Sequence, residues 1–150
     1  MVLDGLLFKP ACPISPENGV LGGILTHRPQ DRFAGSGRMR LHKYGDGEFC
    51  RFRIPSGLTF TGVYAITVDH ELVYIGECEN LSRRFNTGYG HISPRNCYAG
   101  GRQTNCRVNK LVLEAARSGA QIDLHFFRTP EHKGLETRLF AQLGKPPWNR

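Results

Sequence analysis

Between Leu81 and Leu113 the chain carries six basic side chains, Arg83, Arg84, Arg95, Arg102, Arg107 and Lys110, and no Asp or Glu. Tyr89, His91 and Tyr98 are interleaved with them, and cations mixed with aromatic rings suit the phosphates and bases of nucleic acid. A second basic set lies upstream. Arg38, Arg40 and His42, then Arg51 and Arg53, alternate with apolar residues, so a period of two places each arm's charges on one side of an extended ribbon. Such a ribbon can lie in a groove wide enough for two strands. The formal net charge of +7 over 150 residues agrees: it favours a polyanionic partner, with nucleic acid first and an acidic membrane surface second.

These side chains need elements to hold them. The stretch Thr61 to Phe85 organises the rest. Gly62 to Ile66 and Leu72 to Ile75 are runs rich in aliphatic and aromatic residues that read as strands, and Asp69, His70 and Glu71 supply the polar turn of an antiparallel hairpin. A three-residue loop centred on His70 would set Ile66 opposite Tyr74 and put Tyr64 and Tyr74 on one face. Asn80 can cap a following helix through Leu81, Arg84 and Phe85.

Gly62-Val63-Tyr64, then Tyr74-Ile75-Gly76, then Arg84 in the next helix, resemble the signature of the GIY-YIG nuclease family. Glu136 in an apolar-periodic segment and Asn149 after Pro146-Pro147-Trp148 resemble that family's helix glutamate and closing asparagine. The matched positions run in order from Gly62 to Asn149, over more than half of the chain. Val63 replaces the isoleucine of the family's name. Gly88 stands where some relatives place a histidine, and His91 is the candidate to fill that role from the loop.

The resemblance implies a divalent-metal-dependent DNA endonuclease that hydrolyses phosphodiester bonds. Restriction-type cleavage is the first expectation, with a repair-type or structure-selective nuclease, or a non-catalytic DNA-binding module of the same fold, as the alternatives. By that resemblance Glu136 holds a single hard cation, Mg²⁺ with Mn²⁺ as a substitute, and Arg84 grips the scissile phosphate. Tyr64 is the general base, Tyr74 positions the water or phosphate, and Asn149 ties the chain's last turn to the site. Glu77 and Glu79, beside the second motif, receive no ligand role. The DNA contacts fall to Arg38, Arg40, Arg51, Arg53, Arg83, Arg95, Arg102, Arg107 and Lys110, and the expected partner is double-stranded DNA, bound by a homodimer.

Around this core the expected fold is α/β (α+β): a small three-stranded, mainly antiparallel sheet flanked by helices, preceded by a basic β-hairpin. That hairpin spans Arg38 to Ile54 and turns at Gly45-Asp46-Gly47, giving an N-terminal extension over 1–57 and a nuclease domain over 58–150. Residues 1–37, rich in Pro and Gly, read as irregular chain with short strands at best. Thr104 or Asn105 caps a helix with Val108, Leu111, Val112 and Ala115 on one face, and Gln121 to Arg128 alternates as the third strand. Thr129-Pro130 opens a last helix with Leu135, Leu139, Phe140 and Leu143 buried and Glu136 at the stripe's edge.

Hydrophobic content of 39% and charged content of 22% are those of a soluble globular chain. No apolar run approaches the ~18 residues of a membrane span. Five cysteines at wide spacings, with no signal peptide, point to reduced thiols in the cytoplasm. Cys97, Cys106 and His91 match none of the common zinc spacings.

Overall fold

The computed structural model describes residues 1–33, 35 and 37–150. In chain order its strands are β1 (Val2–Leu3), β2 (Leu6–Leu7), β3 (Lys9–Pro13), β4 (Thr26–His27), β5 (Phe49–Cys50), β6 (Gly62–Val68), β7 (Glu71–Cys78) and β8 (Ile122–Arg128). The α-helices are α1 (Leu81–Arg84), α2 (Gln103–Arg117) and α3 (His132–Leu143). Two compact units interleave in sequence: Met1–Ile14, Ile54–Arg84 and Gly119–Arg150 form the first, Ser15–Arg53 and Phe85–Ser118 the second. They do not follow the expected boundary at residue 57, because β3 is built into the sheet of the first unit.

That sheet is antiparallel and ordered β3-β8-β6-β7, four strands where three were expected. Pro10 and Pro13 argued against a strand at Lys9–Pro13. The outermost position resolves the conflict, since an edge strand leaves one side of its backbone unpaired and so tolerates residues without an N–H. A register shift between Pro10 and Cys12 accommodates the rest. Phe8, wholly buried and 5.5 Å from the Phe127 ring, anchors the segment ahead of it.

One face of the sheet carries Val63, Ala65 and Ile75, which pack with Leu3, Phe8 and with Leu135 and Leu139 of α3. Burying a side chain the size of Leu139 contributes about 1.5–3 kcal/mol, so α3 is held by its stripe more than by its caps. Leu143 departs from the expected stripe and is exposed. Ahead of α3, the Thr129 hydroxyl accepts the Glu131 N–H at 3.1 Å.

In the second unit the expected hairpin over Arg38 to Ile54 does not form. β5 pairs with β4, and Leu41 makes an isolated bridge to Tyr98. The reason lies at the supposed turn. The Gly45 backbone packs so closely on the Cys97 carbonyl that no side chain would fit, and Asp46 accepts from Arg28 Nη2 at 2.9 Å, so the segment wraps a distant loop instead of folding on itself. Phe49, Ile92, Cys97, Tyr98 and Cys106 form this unit's core. Asn109, wholly buried, accepts the Cys50 N–H at 3.0 Å and donates to the carbonyls of Cys50 at 2.9 Å and Tyr89 at 2.7 Å.

Candidate active site

Tyr64 and Tyr74 share one face of the sheet, with ring centroids 6.1 Å apart and planes 26° from parallel. The route to that arrangement differs from the expected three-residue loop. Asp69 and His70 form a two-residue turn with φ of 49° and 70°, and Val68 pairs with Glu71. The left-handed conformation of Asp69 is held by Gln121, whose N–H it accepts at 2.8 Å through Oδ1. Thr67 then pairs with Leu72, but Ile66 pairs with Tyr74, leaving Val73 as a bulge. Leu72 packs on the α3 side of the sheet, and strict alternation would have sent Tyr74 there too. The extra residue turns Tyr74 over to Tyr64.

Both rings are largely removed from solvent, with Tyr64 1% and Tyr74 6% exposed. Room for the Tyr64 ring comes from the glycine of the second motif. Tyr64 lies across the strand from Gly76, and a Cβ there would stand 2.3 Å from the Tyr64 Oη. At Gly62 the same atom would meet the Phe127 carbonyl oxygen at 2.1 Å and the Phe126 ring at 2.8 Å.

β7 is an edge strand, and the backbone groups that face outward from it are taken up by side chains and backbone of the chain's last segments. Val73 O accepts the Trp148 N–H at 2.8 Å. The Asn149 amide makes a two-point bond to Ile75, accepting its N–H at 2.9 Å and donating to its carbonyl at 2.8 Å. At the next outward position the Glu77 N–H donates to the Glu136 carboxylate. One strand edge therefore carries the asparagine and the glutamate in sequence. Asn149→Ala leaves both Ile75 groups unpaired at this edge, and the expected cost is about 1–3 kcal/mol in thermal unfolding. Asn149→Asp, which keeps the acceptor, is expected to lose less.

Glu136 is half-buried. Burial, and then the neighbouring Glu77 carboxylate, raise its pKa, while the Arg84 guanidinium, the Glu77 N–H and His132 pull it down. His132, one turn earlier on α3, places Nδ1 2.6 Å from Glu77 Oε2. A half-buried carboxylate whose proton affinity is raised by a second carboxylate beside it is suited to sharing a divalent cation with that neighbour. Among the described residues no group of three or more His, Cys, Asp or Glu forms a metal cage. The donor set suits an ion completed by water and phosphate, as Mg²⁺ commonly is. The resemblance gave Glu77 no ligand role, and His132 was not singled out; the signal for His132 was its place one helical turn before Glu136.

α1 starts as expected, with Asn80 Oδ1 accepting the Arg83 N–H at 3.0 Å, and its last residue is Arg84. It then passes into a π-helical turn over Phe85–Tyr89, which periodicity did not foretell. His91 lies in the second unit, exposed beside Ile92. Of the proposed DNA contacts, Arg83 is in the first unit, and Arg38, Arg40, Arg51, Arg53, Arg95, Arg102, Arg107 and Lys110 are in the second. Arg38 and Arg40 do not face Arg51 and Arg53 across a hairpin, as that hairpin is absent. Lys110 Nζ turns back to the Asp46 carbonyl, and Arg95 donates to Ala99 O at 3.1 Å. The charge divides sharply: the second unit holds twelve Lys and Arg against five Asp and Glu, the first eight against eight. The whole net charge thus belongs to the second unit.

Cys97 and Cys106 are buried neighbours whose thiols hydrogen-bond, which lowers the pKa of Cys97 and raises that of Cys106. No helix of the described residues is long and apolar enough to cross a membrane.

No protein-family profile matches the chain. Over 117 residues it is 26% identical to Endonuclease II of Enterobacteria phage T4, a match that spans 69% of this chain and 81% of that protein. A solved structure of a mutant EndoII from bacteriophage T4 is similar over 83% of this chain and 100% of its own, with 21% identity and a TM-score of 0.49.

Proposed function

We propose that the chain is a DNA endonuclease of the GIY-YIG type that hydrolyses phosphodiester bonds with a single divalent cation. The observation that carries this reading is that Glu136 accepts the Glu77 N–H, within electrostatic reach of the Arg84 guanidinium, at the edge of the strand that also bears Tyr74. The similarity to a protein named Endonuclease II supports it.

Glu136, with Glu77 beside it, holds Mg²⁺, or Mn²⁺ in its place. When bound, the ion supplies charge to the phosphoryl oxygens and the leaving 3′ oxygen. Arg84 grips the scissile phosphate through its planar fork, a geometry that lysine lacks. Tyr64 takes the proton from the attacking water and Tyr74 orients it. A free phenol titrates near ~10, so this role requires cationic surroundings, which Arg84 and the bound ion would supply. Asn149 acts through the Ile75 backbone and fixes the strand that carries Tyr74.

The net charge of the second unit gives it the duplex-binding role. The finer form of the proposal is restriction-type cleavage of double-stranded DNA by a homodimer, which mapped cut ends that share one sequence would support. Supercoiled plasmid should be nicked in Mg²⁺ and untouched in EDTA. Binding without nicking in Mg²⁺ would make the chain a non-catalytic module, and nicking that persists in EDTA would remove the metal from the proposal.

A further inference from the structure

In the second unit, residues 17–25 form a tight finger. Asn18 bridges Ile24, Leu25 N–H donates to Glu17 O at 2.8 Å, and Gly19 N–H donates to Gly23 O at 2.7 Å. Gly22 N–H closes the tip on Gly19 O at 3.1 Å, with Gly22 at φ +88°, a conformation that suits glycine. The root is fixed as well, since Glu17 N–H donates to Arg51 O at 2.7 Å. This ordered loop presents Val20 and Leu21 at its tip, 103% and 97% exposed.

Single exposed aliphatic residues are commonplace on protein surfaces. Two adjacent ones, held out into solvent by a backbone-bonded turn, suit insertion into something apolar. The unit that carries them holds the protein's entire net charge of +7, and Arg51 and the exposed Arg53 follow at the finger's root. A second copy docked there would bring like charge to like charge. A duplex brings phosphates to the arginines and, between base steps, an apolar slot for aliphatic side chains.

We infer that Val20 and Leu21 are a wedge that enters between base pairs of bound duplex DNA, unstacking and kinking it. The inference rests on the endonuclease reading and extends it: the substrate would be deformed duplex, and steps that unstack easily would be favoured targets.

A wedge unwinds DNA at any sequence, which allows a test without a known site. Closed circular plasmid is relaxed by a metal-independent type I topoisomerase in EDTA, with and without the protein, and its topoisomers are resolved. Wild type is expected to shift the linking-number distribution. The double variant Val20→Ser, Leu21→Ser should bind the plasmid within about twofold of wild type, because its cations are intact, and leave the distribution unshifted. In Mg²⁺ it should cut intact duplex about tenfold more slowly than wild type, and duplex with a mismatched, already flexible step nearly as fast. The exposed side chains make the fold safe to test, and unchanged melting verifies it.

A double variant that shifts topoisomers like wild type overturns the inference. So does one that loses the shift only because the wild-type oligomer falls apart in sedimentation, which would make the tip a contact between copies. Wild type that nicks plasmid without shifting it overturns the wedge and leaves the endonuclease reading standing. Wild type that neither binds nor nicks DNA overturns both.

Discussion

Glu136→Gln is expected to lower Mg²⁺-dependent plasmid nicking by about 10³-fold or more, and at neutral pH to melt no lower than wild type. The two effects have one origin. Burial and the adjacent Glu77 make the Glu136 carboxyl harder to ionise in the folded protein than in the unfolded chain. Below the ordinary carboxylate pKa both states hold the proton and the group is neutral toward stability. As pH rises from that value to the raised one, the unfolded state ionises first, and folding stability is lost across the window. Above the raised value the cost is fully present, offset in part by Arg84, His132 and the Glu77 N–H. The amide introduced by the substitution removes the charge and still offers an oxygen to that N–H. The variant's melting temperature should therefore match wild type near pH ~4 and equal or exceed it near pH ~7.5. The same raised pKa makes Mg²⁺-dependent cleavage fall off on acidification earlier than an ordinary carboxylate would require. A variant that melts well below wild type at neutral pH, or that nicks at the wild-type rate, would remove Glu136 from the role proposed for it.

What the sequence disclosed about this site was the set of letters; what it withheld was how they are brought together. Tyr64 and Tyr74 were expected on one face, and they lie there, but through a bulge at Val73 that no turn residue or glycine announces. The two-residue turn at Asp69 and His70 would by itself have separated the rings. Glu136 was expected at the flank of α3, and its half-burial agrees, yet its hydrogen bond to the Glu77 N–H depends on β7 being an edge strand. Edge status is a property of the assembled sheet, decided by where β3 and β8 insert, and no local pattern carries it. The same logic explains the lost hairpin. Alternation over Arg38 to Ile54 was real, but Phe49 and Cys50 found partners in Thr26, His27 and Asn109 across long stretches of chain. Local periodicity reports which side of a segment is apolar and is silent about which distant segment will cover it.

Gly76→Ala should be the most damaging of the small changes, lowering nicking by about 10²-fold and stability by about 1–3 kcal/mol. The methyl would stand 2.3 Å from Tyr64 Oη and 2.4 Å from its Cζ, well inside contact distance. Tyr64→Phe would not relieve it, because the ring carbon clashes as badly as the hydroxyl. The Tyr64 ring has little room to retreat, being 1% exposed and stacked on Tyr74, so a shift in one phenol carries to the other. Gly134→Ala supplies the contrast. Gly134 lies within α3 with nothing within 4 Å of the added carbon, and alanine there should stabilise the helix by roughly 0.5–1 kcal/mol with nicking unchanged. A double-mutant cycle between Gly76→Ala and Tyr64→Ala isolates the ring contact: once the ring is gone, the methyl should cost almost nothing in melting temperature. If Gly76→Ala destabilises equally with and without the Tyr64 ring, the glycine of the second motif serves the backbone of β7 and not the seating of the tyrosine pair.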